Sequence, residues 1–250
     1  MRILFTICGR AGSKGIRNKN LRTFCGKKLA YFTTSVIDLY LTRHPECEYD
    51  IVVNSDSPEL IDIVTGNGQR AVEVVPREER LAGDVVGKIE VIADCLAKMR
   101  ERTNAAYDMV VDLDITSPLR TVADLENVIA LQSEKHADVT TTVAHARRNP
   151  YFNQLKRTAE GISKVIPSNY TARQQAPAIY DMNASIYAYD PAYLGTGKGV
   201  LDGHLEIVEM FDTGILDLDN EEDFGLMEVI TAHLVKTMPA FREVYEHIPG

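Results

Sequence analysis

The sequence lacks the cysteine patterns of proteins stabilised by metals or disulfides, and it lacks the long apolar runs of membrane-spanning proteins. Its 250 residues include no tryptophan and only four cysteines, and these show no C-x-x-C or other metal-ligand spacing. We interpret the cysteines as reduced thiols of a cytoplasmic protein. No apolar run approaches the roughly 18–20 residues of a membrane span, so we expect no membrane contact. The apolar start at residues 1–7 is too short for a signal peptide and is interpreted as a buried strand.

Charge of one sign is missing from a long segment near each end of the chain. Residues 1–37 contain eight Lys or Arg and no acidic residue, whereas residues 199–235 contain ten Asp or Glu and no Lys or Arg. The formal net charge of −9 argues against nonspecific nucleic-acid binding. A basic segment in an acidic protein indicates a local site for an anion. The acidic segment is either a solvated surface or a place for a metal ion.

Over the first 145 residues, short apolar runs alternate with helical patterns. Strands are predicted at residues 3–8, 50–53, 71–75, 107–113 and 138–143, and helices at residues 27–41, from 58 onward, at 86–100 and at 121–132. Ser57 followed by Pro58 is a typical helix start. This alternation predicts an α/β fold with a doubly wound, mainly parallel sheet.

The alternation of strand and helix patterns stops at about residue 145. Residues 145–182 are polar and interrupted by proline, with one short strand predicted at 163–166. We expect this segment to be a lid or dimerisation insertion in a single domain that spans residues 1–250. Further strands are predicted at 183–189 and 205–210, and a final helix at 221–235.

The loop that follows the first strand carries the strongest local pattern. It runs from Gly9 to Asn20 and contains three glycines and four cations. Glycines let backbone N–H groups approach an anion closely, and the cations can neutralise a triphosphate. The loop matches neither the P-loop pattern nor the dinucleotide-binding G-x-G-x-x-G pattern. The alternative interpretation is a basic loop without chemistry.

Ordered motifs along nearly the whole chain resemble the CMP-sialic acid synthetase (acylneuraminate cytidylyltransferase) family. The matching segments and family patterns are residues 9–20 with ARGGSKGIPRKN, 26–29 with GKPL, 77–84 with RPxxLASD, 116–120 with TSPLR, 173–187 with RQ…P…NGAIY, and 217–223 with DIDTPED. The TSPLR match is identical. The resemblance implies a nucleotide-diphospho-sugar transferase-like fold and a homodimer.

A CTP site follows from this resemblance. The implied nucleotide-binding residues are Arg10, Gly12, Ser13, Lys14, Lys19, Asn20, Arg77, Ala82 and Gly83. Arg10 and Lys19 would contact phosphates, and Lys14 would stabilise charge at the reacting α-phosphate, which agrees with the need of phosphoryl transfer for positioned cations. Gly83 stands where the family has Ser. Arg77 has a second interpretation, as part of a charged surface turn at 77–80.

The resemblance also implies a sugar-acid site. The implied substrate-binding residues are Asp114, Thr116, Ser117, Arg173, Gln174, Tyr180 and Asn183. A bidentate Arg suits a sugar carboxylate, and Arg173 is the best candidate for that contact. Relatives exchange contacts across a dimer in this region, so some of these residues would serve the neighbouring subunit's pocket.

Asp114 departs from the family pattern. Typical members have Leu-Gln-Pro before Thr-Ser-Pro, whereas here the Gln and Pro positions hold Asp114 and Ile115. Asp114 could bind the Mg²⁺ that accompanies the triphosphate, or recognise a hydroxyl or N-acyl group of a different sugar. A third interpretation is a structural carboxylate that caps the turn at 116–120.

Asp217 and Asp219 are predicted to alternate along a strand, which would place both on one face. By resemblance they are ligands of Mg²⁺, the implied cofactor, and Asp217 joins Arg10 and Lys14 as a catalytic residue. The alternative for Asp219 is N-capping of the final helix.

The predicted function is nucleotidyl transfer from CTP to a nonulosonic, nine-carbon sugar acid, with release of pyrophosphate. Alternatives in the same family act on legionaminic, pseudaminic or deoxyoctulosonic acid, or use another NTP, and the departures at Gly83, Asp114 and Ile115 make legionaminic acid a serious candidate. An alternative of another class is a nucleotide-sugar-dependent glycosyltransferase with an Asp-x-Asp metal motif. A non-catalytic nucleotide-binding module is the third possibility.

Overall fold

Strands and helices alternate along the chain as the sequence predicts. The computed structural model describes residues 1–12, 15–83, 86–213 and 217–249. Its strands are β1 (Arg2–Cys8), β2 (Thr23–Phe24), β3 (Lys27–Lys28), β4 (Glu48–Ser55), β5 (Glu73–Pro76), β6 (Met109–Leu113), β7 (Val139–His145), β8 (Leu155–Thr158), β9 (Gly161–Lys164), β10 (Tyr180–Tyr189) and β11 (Leu205–Glu209). Its α-helices are α1 (Leu29–Arg43), α2 (Pro58–Thr65), α3 (Lys88–Thr103), α4 (Val122–Lys135), α5 (Pro191–Leu194), α6 (Glu221–Thr237) and α7 (Pro239–His247).

The main sheet has the strand order β11-β7-β10-β6-β1-β4-β5. Neighbouring strands are parallel except for β10, which is antiparallel to both β6 and β7. The predicted doubly wound, mainly parallel sheet is therefore confirmed. From β1 the chain builds first towards β4 and β5, and later returns to add β6 on the other side. The carboxyl ends of β1 and β6 thus flank a point where the strand order reverses, which is where such sheets bind ligands.

Both faces of the sheet are covered by helices. Along β1, Ile3, Phe5 and Ile7 pack into a core shared with α1, α4, α6 and α7, while Leu4 and Cys8 pack into a core shared with α3 and α5. Successive side chains of a strand point to opposite faces, so a strand buried on both sides reads as one continuous apolar run. The interpretation of the apolar start as a buried strand is therefore confirmed.

N-cap residues fix where the helices that follow β4 and β6 begin. Ser57 is the N-cap of α2, and its hydroxyl accepts a hydrogen bond from the backbone N–H of Leu60 at 3.3 Å, as the Ser-Pro pattern predicts. Thr121 begins α4 with a capping box to Asp124.

Within the described part of the chain, no helix is long and apolar enough to cross a membrane.

The later part of the chain holds more structure than its sequence pattern indicates. The predicted strand at 163–166 corresponds to β9, which pairs with the unpredicted β8 in a separate two-stranded sheet. Helices α5 and α7 were not predicted either. Both are short and begin with proline, which breaks the apolar period just where the helix starts. The role of 145–182 as a lid or dimerisation insertion stays a prediction.

Candidate active site

A cavity of about 440 Å³ lies at the carboxyl ends of the central strands. Cys8 and Gly9 border it where β1 ends, and Asp114 and Thr116 border it where β6 ends. The predicted site residues that line it are Arg10, Lys19, Asn20, Arg77, Gly83, Asp114, Thr116 and Asp219. Segments as far apart in the chain as Cys8 and Asp219 therefore meet at the switch point of the sheet.

The loop after β1 is anchored at its start. The backbone N–H of Gly9 donates to the carbonyl oxygen of Asn54 at 3.1 Å, and that of Ala11 donates to Oδ1 of Asp56 at 2.7 Å. A Cβ at position 9 would collide with Leu60, so glycine is needed there for close packing. Gly12 has a φ of 75°, and it lies in a smaller neighbouring depression. Ser13 and Lys14, both predicted to bind the nucleotide, lie outside the described residues.

Asn20 closes this loop from its far end. Its Nδ2 donates to the carbonyl oxygen of Arg10 at 3.3 Å. Its Oδ1 is buried and has no hydrogen-bond partner within residues 1–12, 15–83, 86–213 and 217–249. Buried polar atoms are rarely left without a partner, so a donor on a bound ligand would complete this side chain. This geometry agrees with the predicted nucleotide contact of Asn20.

The acidic segment 217–219 packs directly on the phosphate loop. Lys19 donates from Nζ to the carbonyl oxygen of Leu218 and lies 3.6 Å from Oδ1 of Asp219. A Cβ at Gly15 would collide with the carbonyl oxygen of Asp219, so this approach requires glycine. The contact joins the beginning and the end of the chain at one cavity.

The prediction of a strand at 217–219 is wrong. The backbone N–H of Leu218 donates to the carbonyl oxygen of Thr116 at 3.1 Å, but Thr116 lies beyond the end of β6 and the segment is not part of the sheet. Leu218 is nevertheless fully buried while the Asp219 side chain is 70% exposed, so the in–out alternation survives without a strand. The N-cap of α6 is Asn220, in a capping box with Asp223, rather than Asp219. The carboxylate of Asp219 is therefore not used as a helix cap.

The two aspartates have the chemistry of a hard-cation site. Asp217 is half-buried, and both burial and the negative charge of Asp219 raise the pKa of its carboxyl. Such mutual repulsion between carboxylates is relieved by a cation, and oxygen ligands suit Mg²⁺. No group of three or more His, Cys, Asp or Glu in the described ranges could hold a metal by itself. Further ligands would therefore come from phosphate oxygens and water.

Arg77 belongs to the cavity and not to the surface turn that follows it. Its Nε donates to Oδ1 of the fully buried Asn54 at 2.7 Å, and its backbone N–H donates to the carbonyl oxygen of Ser55 at 3.1 Å. Arg80 makes the surface pair, with Glu78. Of the neighbouring predicted positions, Gly83 lines the cavity, whereas Ala82 is not among the lining residues.

Asp114 is held by protein partners on both oxygens. Its Oδ1 accepts hydrogen bonds from the backbone N–H and the hydroxyl of Thr116, each at 2.9 Å, and its Oδ2 accepts one from Nζ of Lys88 at 2.7 Å. Burial alone would raise the pKa of Asp114, but the Lys88 charge and these hydrogen bonds lower it to about 2. Of the three interpretations of Asp114, the turn-capping one describes the geometry of Oδ1.

Within the TSPLR motif, Thr116 and Arg120 have different surroundings. Thr116 lines the cavity, whereas Arg120 is fully buried beneath it. The Arg120 guanidinium donates to the carbonyl oxygens of Asp114 and Ser185 and to the hydroxyl of Thr33. Burial lowers its pKa to about 10, which leaves it charged at neutral pH. Arg120 thus ties the end of β6 to β10 and α1.

Five of the seven residues predicted for the sugar acid, all except Asp114 and Thr116, lie away from the cavity. Arg173 and Gln174 are exposed, and Arg173 donates to the carbonyl oxygen of Ala146 at 2.7 Å. Tyr180 is 40% exposed and contacts His145 edge to face. Asn183 is buried, and its side chain bonds to Thr142 and to the sulfur of Met210.

Ser117 also lies away from the cavity. It is buried and borders, with Asn183, a separate void of about 10 Å³, which is too small for a sugar. None of these five residues is among those that line the 440 Å³ cavity.

Sequence reasoning missed Lys88. This residue lines the cavity, and its ammonium lies 2.6 Å from Oδ2 of Asp112 as well as 2.7 Å from Oδ2 of Asp114. Two signals could have found it. Lys88 is the first residue of α3, where the helix dipole disfavours a cation, and Asp112 is a charged residue inside an apolar strand. Each is unfavourable alone, and together they indicate a buried pair.

Comparisons with known proteins identify the family of this chain. The sequence pattern of the cytidylyltransferase family matches residues 4–224. The post-translational flagellin modification protein B of Campylobacter coli is 34% identical over 229 residues, covering 91% of this chain and 94% of that protein. The CMP-N,N'-diacetyllegionaminic acid synthase of Campylobacter jejuni is 34% identical over 228 residues, with the same coverage of 91% and 94%.

A solved structure resembles the fold over nearly its whole length. The CMP:2-keto-3-deoxy-manno-octonic acid synthetase, solved in complex with CTP, superposes with a TM-score of 0.63 at 15% identity and covers 93% of this chain and 99% of that one. At this identity the likeness shows the fold alone. Because the family pattern covers most of the chain and two relatives match it at more than 30% identity over nine tenths of its length, the chain belongs to the cytidylyltransferase family.

Proposed function

We propose that this cytidylyltransferase joins CMP from CTP to a nonulosonic sugar acid of the legionaminic type and releases pyrophosphate. One observation carries the proposal. The basic loop 9–20, the segment 77–83, the end of β6 and Asp219 line a single cavity at the switch point of the sheet. This arrangement supports the proposal because phosphoryl transfer needs positioned cations, and Arg10 and Lys19 border the same cavity as the carboxylate of Asp219.

The reaction is an in-line displacement at the α-phosphorus. The anomeric hydroxyl oxygen forms a bond to that phosphorus, and the bond to the oxygen that bridges to the β-phosphate breaks. The hydroxyl proton passes to a nearby carboxylate or to water, and pyrophosphate leaves with the bridging oxygen. Arg10, Lys14 and Lys19 neutralise the charge on the leaving group, and no enzyme nucleophile is needed.

The chain's own residues position the nucleotide. Arg77 is held against Asn54, so it offers a rigid guanidinium at the nucleoside end of the cavity. Lys19 donates to the carbonyl oxygen of Leu218, which holds the loop 9–20 against the acidic segment 217–219. A Mg²⁺ ion bound by Asp217 and Asp219 would supply charge neutralisation to the phosphates.

The sugar is assigned from the relatives and from Asp114. One relative at 34% identity is named for a legionaminic acid derivative. The position that is Gln in the sialic acid pattern holds Asp114 here, so the surroundings of the acceptor differ from that pattern. Arg173, Gln174 and Tyr180 are exposed on one protomer, and a homodimer that brings this surface over a neighbour's cavity would complete the sugar site. We place this protein in the cytoplasm, where CTP is available.

The test is pyrophosphate release across four nucleoside triphosphates and a panel of nine-carbon sugar acids, with and without Mg²⁺. We expect release with CTP, Mg²⁺ and a legionaminic acid, and at least about tenfold lower kcat/KM with N-acetylneuraminic acid. Deoxyoctulosonic acid is the eight-carbon control. Absence of release with every pair would overturn the proposal, and hydrolysis of a nucleotide sugar without pyrophosphate would favour a glycosyltransferase.

A further inference from the structure

Lys88 bridges two carboxylates at the edge of the cavity. Its ammonium lies 2.6 Å from Oδ2 of Asp112 and 2.7 Å from Oδ2 of Asp114. The exposed fractions of the three side chains are 31% for Lys88, 0% for Asp112 and 19% for Asp114. The Lys88 ammonium donates a hydrogen bond to Oδ2 of Asp114, whereas its contact with Oδ2 of Asp112 is an ion pair without hydrogen-bond geometry. What Lys88 can offer a ligand is chiefly its charge.

The carboxylates cannot turn away from the cavity edge. Oδ1 of Asp112 accepts a hydrogen bond from the hydroxyl of Thr6 at 2.8 Å, and Oδ1 of Asp114 accepts two from Thr116. These bonds come from β1 and from the turn after β6, which are parts of the rigid sheet edge. Two fixed negative charges therefore lie beside the site of a polyanion, where Lys88 pairs with both and the buried Arg120 guanidinium adds a second positive charge nearby.

This arrangement explains how an aspartate can occupy position 114. The sialic acid pattern has a neutral Gln here, and an additional carboxylate beside a triphosphate would repel it. Lys88 supplies the compensating charge from the first turn of α3, the helix that follows the segment 77–83. The aspartate at position 114 and the lysine at position 88 thus form an ion pair in which the charge of one offsets the charge of the other.

We propose that Lys88 is a nucleotide-positioning residue that offsets part of the negative charge of Asp112 and Asp114 and so keeps the cavity edge compatible with the triphosphate of CTP. The proposal rests on the proposed use of CTP. On this proposal, the contribution of Lys88 to ligand affinity grows with the negative charge of the ligand. Lys88 acts through the two carboxylates, whereas the cations of the loop 9–20 would contact the phosphates directly.

Lys98 is a matched control on the same helix. Its ammonium also bridges two carboxylates, those of Glu78 and Asp94, at 2.7 Å each. Lys98 is partly exposed like Lys88, with a side-chain exposure of 26%, but it does not border the cavity. Lys88→Met and Lys98→Met therefore remove the same kind of ion pair, one at the cavity and one away from it.

The experiment measures CTP and CMP binding by titration calorimetry, together with steady-state kinetics. For Lys88→Met we expect a rise in the Kd for CTP of about tenfold or more, a rise of about threefold for the less charged CMP, and a kcat within about threefold of wild type. Lys98→Met should leave both Kd values within about twofold. Lys88→Met/Asp114→Asn restores the wild-type net charge, and its Kd for CTP should return to within about threefold of wild type.

Three results would overturn the proposal. They are an unchanged Kd for CTP in folded Lys88→Met, an equal loss for CMP and CTP, and a double variant that binds no better than Lys88→Met. If Lys88→Met does not fold, as judged by thermal unfolding, the double variant decides alone, and a loss beyond about tenfold contradicts the proposal. Wild-type protein that binds CTP without turnover would refute the proposed reaction but not this role, whereas wild type that binds no CTP would refute both.

Discussion

Five of the nine residues predicted for the nucleotide line one cavity at the carboxyl ends of the central strands, together with Asp114 and Thr116, whereas the other five residues predicted for the sugar lie on the surface or in the core away from it. The nucleotide end rests on buried parallel strands, whose register sets the positions of Gly9, Asn54 and Asp114. The sugar end draws on the insertion 145–182, which includes a separate, largely exposed two-stranded sheet.

This difference follows from where the two groups of residues lie in the fold. A parallel sheet gathers its strand ends at one edge, so distant segments meet there without any partner. An exposed arginine such as Arg173 has no comparable restraint and needs a further surface to form a pocket. The predictions below test this contrast between the two ends.

The largest effect is expected at the phosphate loop. Lys14→Ala should lower kcat by a factor of about 100–1,000, because it removes a cation at the reacting phosphate, and should leave the melting temperature nearly unchanged. The measurement is pyrophosphate release at saturating CTP, beside circular dichroism melting. Arg17→Ala, in the same loop and exposed, is the control and should lose less than about threefold. Near-normal turnover of Lys14→Ala would remove its assigned role.

The next largest effect is expected at the contact between Gly15 and Asp219. Gly15→Ala places a Cβ against the carbonyl oxygen of Asp219, so the loop and the acidic segment must separate. We expect kcat/KM for CTP to fall by about tenfold or more, because separating the loop from the acidic segment disturbs the positioning of the reacting groups.

The control for Gly15→Ala is Gly225→Ala. Position 225 lies in α6 with open space around its Cβ, and alanine there should stabilise the helix by up to about 1 kcal/mol. Steady-state kinetics of both variants at equal protein concentration make the comparison. If Gly15→Ala kept wild-type kcat/KM, the close approach of the two segments would have no bearing on catalysis.

A smaller and more selective effect is expected at the sugar end. Arg173→Ala should raise KM for the sugar acid by about tenfold, because a charged hydrogen bond to the carboxylate is lost, and leave KM for CTP within about twofold. Arg157→Ala, on the exposed strand β8, serves as the control. Equal changes in both KM values would show that Arg173 does not distinguish the two substrates.

The smallest effect concerns a strained residue between the two ends. Ala184 has a φ of 49° at an irregularity of β10, where the family pattern has glycine. Left-handed backbone costs an alanine about 1–2 kcal/mol, part of which the greater freedom of unfolded glycine offsets. Ala184→Gly should therefore raise the free energy of unfolding by about 0.5–1 kcal/mol without changing turnover. Denaturant unfolding would contradict this if the variant were less stable than wild type.

Much of the fold was readable from local pattern. Apolar runs bounded by turn residues gave the seven strands of the main sheet, and Ser57 and Thr121 marked helix starts correctly. The short helices α5 and α7 escaped because they are too short to show a period. The predicted strand at 217–219 failed because alternation of burial arises there from one contact with Thr116 and not from a ladder.

The sequence by itself determined the family, the alternating α/β order and most of the residues that line the nucleotide cavity, because these are carried by motifs and by the period of apolar residues. Only the tertiary structure decided that Arg77 lines the cavity, that Arg120 is buried, and that Lys88 pairs with Asp112 and Asp114. These assignments depend on which charges meet across the sheet edge. Charge pairing between distant segments leaves no periodic trace in the chain, so it becomes visible only when the fold brings the partners together.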